Sequence, residues 1–131
     1  MRLGRVSIIV RYYDEAIDWY RAKLGFQLLE DTPLTPQKRW VVMAPPSGSE
    51  EPAGAEILLA KAANDAQAAF TGDQTGGRVF LFLYTNNFAH DYRRMREAGV
   101  AFVEEPRIEP YGQVVVFTDL YGNKWDFIEP R

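Results

Sequence analysis

The sequence predicts an α+β fold built from two copies of one βαβββ unit, and three observations carry that prediction. Two long stretches, "RVSIIVRYYDEAIDWYRAKLGFQLLED" and "RVFLFLYTNNFAHDYRRMREAGVAFVEEP", repeat one order of patterns. Each passes from a β-branched or aromatic run into apolar residues at helical spacing, then into a glycine. The stretches also overlie at their landmarks. Arg5-Val6-Ser7-Ile8 falls on Phe80-Leu81-Phe82-Leu83, and Leu24-Gly25-Phe26 falls on Ala98-Gly99-Val100. Finally, two further short apolar runs follow each stretch. A repeat of this length marks two supersecondary units that must each bury a face against a neighbour.

Taken in order, Val6 to Val10 is β-branched and reads as the first strand. Tyr13, Ala16, Ile17, Tyr20 and Leu24 then recur at helical spacing, with Gly25 as the stop, which predicts a helix from Tyr13 to Lys23. A strand from Phe26 to Glu30 follows, and "KRWVVMA" and "AEILLA" complete the first unit around the turn "PPSGSEEPAG". The segment "AANDAQAAFTGDQTGG" links the halves and has room for a short helix. In the second unit, strand Val79 to Tyr84 leads to a helix from Asn87 to Glu97. Its apolar face is Phe88, Tyr92 and Met95, and Gly99 stops it. Ala101 to Val103, "QVVVFT" and "KWDFIE" are the remaining strands. Module one thus spans about residues 4–61, the linker about 62–77 and module two about 78–130 of one domain of 131 residues.

Composition excludes several classes of function. Net charge is −3 and the basic residues are scattered, so there is no electrostatic footprint for nucleic acid. No apolar run reaches membrane-spanning length and the N-terminal stretch lacks a signal-peptide cleavage site, so a cytoplasmic protein without a membrane partner is expected. Without cysteine there is no disulfide, thiolate metal site or cysteine nucleophile. The glycines of "GDQTGGR" lack the Lys-Ser/Thr of a phosphate loop. His90 lies two residues from Phe88, about 200° around a helix, and is expected in solvent rather than in a catalytic triad.

The duplicated module, with "DEAIDWYRAKLGF" after the first strand and "DLYGNKWDFIEP" at the end, resembles the vicinal oxygen chelate superfamily. That group includes glyoxalase I, extradiol dioxygenases, fosfomycin-resistance enzymes and bleomycin-resistance proteins. The resemblance covers nearly the whole chain. It implies curved mixed sheets enclosing a cleft, and a homodimer in which the cleft wall is shared. It also implies that metal-dependent members draw one ligand from the first and last strand of each module. Those positions correspond here to Arg5, Leu58, Phe80 and Asp126. Arg5 is a permanent cation, and Leu58 and Phe80 have no donor atom, so neither a metal nor another cofactor is expected.

A carboxylate such as Asp126, set in a terminal core strand, needs a reason. Two compatible readings stand: an ion pair with Arg5, or a pair that grips polar groups of a ligand. Strand alternation turns Arg5, Ser7 and Ile9 one way and Val6, Ile8 and Val10 toward the helices. By the same rule Phe80, Phe82 and Tyr84 share a face, as do Glu56, Leu58 and Ala60. Lys124, Asp126 and Ile128 form a further row, with Trp125 and Phe127 in the sheet–helix core. The candidate ligand-binding residues are therefore Arg5, Ser7, Glu56, Leu58, Phe80, Phe82, Tyr84 and Asp126, with Trp40 and Tyr111 at the rim. Apolar walls with sparse polar points are typical of small-molecule sites, and aromatic faces favour flat or cationic ligands. No catalytic residue is assigned. Similarity to the bleomycin-resistance proteins implies a metal-free protein that sequesters an aromatic drug or natural product, for resistance or self-resistance. The alternative is a glyoxalase- or dioxygenase-like enzyme, a lyase or isomerase, using Asp126 or Glu56 as acid or base or an atypical metal site.

Overall fold

The β-branched run at the N-terminus forms strand β1 (Arg5–Val10), and the helical stripe after it forms α1 (Tyr13–Leu24). This is a computed structural model that describes residues 1–47 and 54–131. Residues 48–53, most of the turn expected between the third and fourth strands, lie outside the described residues. The chain divides into two units, Met1–Thr71 and Gly72–Arg131, and the division falls inside the segment read as a linker.

In the first unit α1 is followed by β2 (Gln27–Pro33), β3 (Arg39–Ala44), β4 (Glu56–Lys61) and the single turn α2 (Asp65–Ala68). The sheet order is β1-β4-β3-β2, with β1 parallel to β4 and the other pairs antiparallel. Ala16, Ile17, Tyr20 and Leu24 on α1 are buried, as are Ile8, Val10, Val41, Met43, Ile57 and Leu59 on the strands. These strand residues all belong to one alternation class, so the sheet presents a single apolar face to the helix. Gly25 ends α1 in the left-handed region at φ 71°, and its N–H returns to the Arg21 carbonyl. Strand β2 runs three residues beyond the expected Glu30. Arg39 holds its far end, donating in bidentate fashion to Asp31 and also to Asp14 of α1.

The second unit contains β5 (Val79–Tyr84), α3 (Phe88–Glu97), β6 (Ala101–Phe102), β7 (Arg107–Glu109), β8 (Gly112–Thr118) and β9 (Lys124–Pro130). Its order is β5-β9-β8-β6, with β7 also on β8 and β5 parallel to β9. Both sheets are curved and mixed. Strand β7 was not expected; it is a three-residue piece that lies antiparallel to the first half of β8. A chain of ring contacts fills the α3 side: Phe88 on Phe127, Tyr92 on Phe102, Phe102 on Phe117 and Phe117 on Trp125. Each ring pair adds a fraction of a kcal/mol, up to about 1.5, beyond the area it buries.

The terminal motif "DLYGN" is structural. Oδ1 of Asp119 accepts from the backbone N–H groups of Tyr121, Gly122 and Asn123, and Oδ2 accepts from the Asn123 amide and the Trp125 indole. The turn abuts Gly72, where φ is 76° and a Cβ would stand 1.8 Å from the Tyr121 carbonyl oxygen. Only glycine fits there.

Candidate functional site

Each unit carries one sheet face turned away from its helix, and the predicted residues divide between the two faces. On the first, Arg5 is paired across the parallel ladder with Glu56, and Ser7 with Leu58. The Arg5 guanidinium donates to the buried Glu56 carboxylate at 2.8 Å and lies 3.8 Å from Glu30. It also sits 5.7 Å from the centre of the Trp40 ring, whose indole N–H donates to Glu30 at 2.7 Å. Trp40, whose facing alternation alone left undecided, thus shares a face with Arg5. Glu30 was missed from sequence; a β-bulge between Leu28 and Glu30 shifts the register of β2 against β3. Arg5 therefore finds two carboxylates on its own sheet, Glu56 and Glu30.

On the second unit's outer face, the ladder sets Asp126 between Phe82 on β5 and Val116 on β8, with Tyr84 opposite Ile128 one step along. Phe82 and Tyr84 are 55% and 63% exposed, whereas Asp126 is 9% exposed. Phe80 does not join them in register. The ladder slips between Val79 and Leu81, and Phe80 is skipped as the bulged residue. The Asp126 carboxyl receives no hydrogen bond from the described residues, and its Oδ1 is buried. Burial holds this carboxyl above the ordinary carboxylate range; the Arg107 charge pulls it down and the Glu104 charge pushes it up.

Arg107 is the residue that sequence reasoning overlooked. It donates to Glu104 and Glu109, the latter at 2.8 Å, and the predicted rim residue Tyr111 lies close to it. Glu104 also accepts from the Val116 N–H, so it fills the gap between β6 and β7. The alternation in "RIE" puts Arg107 and Glu109 on one strand face and was the available signal. Separately, a groove of about 480 Å³ beside α3 is lined by Tyr92, Arg96, Val100, Phe102, Val103, Glu104 and Glu105. It contains none of the predicted site residues.

The donor set does not fit a divalent cation. Of the four positions that the resemblance assigns to metal ligands, Arg5, Leu58 and Phe80 offer no lone pair, and Asp126 lies within the field of the Arg107 guanidinium. Among the described residues, no group of three or more His, Asp or Glu is arranged to hold a metal ion. His90 is exposed beside Asp91 on α3.

Comparison with known proteins is consistent with this geometry. The profile of the Glyoxalase/Bleomycin resistance protein/Dioxygenase superfamily matches residues 2–127. An uncharacterized protein of Shewanella frigidimarina (strain NCIMB 400) is 50% identical over 125 residues, 95% of this chain and 90% of its own. Among solved structures, UcmS2 superposes with a TM-score of 0.81 at 32% identity, covering 98% of this chain and 97% of its own. TnmS3, an antibiotic binding protein from Streptomyces sp. CB03234, superposes with a TM-score of 0.78 at 26% identity, covering 100% and 97%.

Proposed function

The chain belongs to the Glyoxalase/Bleomycin resistance protein/Dioxygenase superfamily, and from that premise we propose that it is a metal-free binding protein that sequesters an aromatic drug or natural product. One observation carries the reading: two exposed rings, Phe82 and Tyr84, flank a buried carboxyl that has no donor of its own. Exposed aromatic surface is costly in water unless something covers it, and an orphaned buried acceptor is costly unless something donates to it. A flat ligand carrying one polar group meets both needs. The likeness to TnmS3, an antibiotic binding protein, supports the same reading. So does the absence of donor atoms at three of the four metal positions. A homodimer is part of the proposal, since a second copy is the simplest cover for exposed rings that a small ligand fills only in part.

The test is calorimetric screening of aromatic antibiotics, followed by mass spectrometry of the recovered compound. Saturable binding with unaltered recovery supports the proposal, and sedimentation at micromolar concentration checks the dimer. An enzyme reading also has an observation behind it. Burial holds the Asp126 carboxyl above the ordinary carboxylate range, which is the direction a general acid needs. It predicts an altered compound, produced faster than without protein and abolished by Asp126→Asn.

A further inference from the structure

We infer that the ligand is a cationic aromatic, a protonated amine or ring nitrogen on a flat framework, whose N–H donates to the Asp126 carboxyl. The inference rests on the binding reading above and adds the charge of the ligand. Asp126 is more than nine-tenths buried, yet it receives no hydrogen bond from the described residues. Buried carboxyls are rarely left in that state, and a missing partner is the first explanation to try. The terminal torsion of an aspartate has a broad two-fold profile, so either oxygen can be turned to a donor at the outer face.

The position of Phe82 selects the kind of donor. It stands directly across the β5–β9 ladder from Asp126. Neighbouring strands are about 4.8 Å apart, and a cation is attracted to a ring face out to about 6 Å from its centre. One positive N–H group can therefore lie over the Phe82 ring and reach the carboxylate. An anionic group has no equivalent place. Arg107 is already committed to Glu104 and Glu109, and Lys124 donates to the Gly77 carbonyl. Asp126, Glu104 and Glu109 still outnumber the two cations Arg107 and Lys124, and the local field favours a cation.

Three flat tricyclic probes test this: 9-aminoacridine (a cation at neutral pH), anthracene-9-methanol (neutral) and anthracene-9-carboxylate (an anion), each titrated calorimetrically. We expect 9-aminoacridine to bind at least about ten-fold more tightly than the carboxylate. A charge-assisted hydrogen bond of about 1.5 kcal/mol or more corresponds to that factor. Asp126→Asn should cut 9-aminoacridine affinity by about ten-fold and leave the neutral probe within about two-fold. Should Asp126→Asn fail to fold, Glu109→Gln provides the second arm, and it should narrow the preference for the cation over the anion. Equal binding of all three probes would overturn the inference while leaving the binding reading intact. Binding of none would overturn both. An equal effect of Asp126→Asn on cationic and neutral probes would also overturn the inference.

Discussion

Phe82 and Asp126 face each other across the parallel β5–β9 pair, and one is more than half exposed while the other is almost fully buried. One residue further along, Leu83 and Phe127 are paired on the opposite face, where Phe127 meets Phe88 of α3. A single strand pair therefore builds the core on one side and the candidate site on the other. This follows from the two-residue period of a strand.

Phe82→Ala should weaken an aromatic probe such as 9-aminoacridine by several-fold or more, since a stacking ring is worth about 1 kcal/mol before area is counted. The ring is exposed, so thermal stability should change little. Calorimetry and a melt on the same sample separate the two effects. A large fall in Tm with unchanged affinity would assign Phe82 to structure rather than to ligand.

Asp126→Asn should melt no lower than wild type at neutral pH and should lose that advantage in acid. The sign follows from the raised folded-state value. Below the ordinary value near 3.8, the carboxyl is protonated folded or unfolded. Above the raised value it is ionised in both, and only the folded state carries the desolvation cost. Wild-type stability contributed by this group therefore falls as pH rises through that window. The neutral amide has no such window. Urea melts at pH 7 and in mild acid would reveal it.

Asp31 has the opposite dependence. The Arg39 guanidinium, donating at 3.0 and 2.7 Å, holds its carboxyl below the ordinary carboxylate range. The pair's contribution is present above the unfolded value and lost as pH falls through the lowered folded one. Asp31→Asn should cost about 1 kcal/mol at neutral pH after allowance for solvent screening. The gap from wild type should close in acid.

Asp119→Ala should be among the most damaging single changes. It strips acceptors from three backbone N–H groups, one amide and the Trp125 indole, in a turn where Asp119 and Asn123 are buried. Unsatisfied buried donors cost about 1–3 kcal/mol each, and partial relaxation leaves a net loss of about 3 kcal/mol or more. A denaturant melt reads this directly. Asp119→Asn, which keeps acceptor capacity at one oxygen only, should fall between the two.

Much of this protein is legible before it folds, because the signals are local. The stripe Tyr13, Ala16, Ile17, Tyr20, Leu24 and the glycine after it specify α1 whatever else surrounds them. Strict alternation separates Arg5 and Ser7 from Ile8 and Val10, and Phe82 from Leu83. The duplication is visible for the same reason, since both copies carry the same two periods. Partnership is different. Arg5 lies beside Glu56 only because β4 returns parallel to β1, a pairing between residues far apart in sequence. Trp40 joins Arg5's face through the register of β3, and Glu30 joins it through a bulge that no alternation pattern announces. Phe80 leaves its row at a second bulge. Strand β7 forms because β8 offers an unpaired edge, and only then does Arg107 come within reach of Asp126. Periodicity decides which way a side chain points. Which long, flexible charge it meets is settled by strand pairing, because an ion pair forms only between groups that the fold has already brought within a few ångströms.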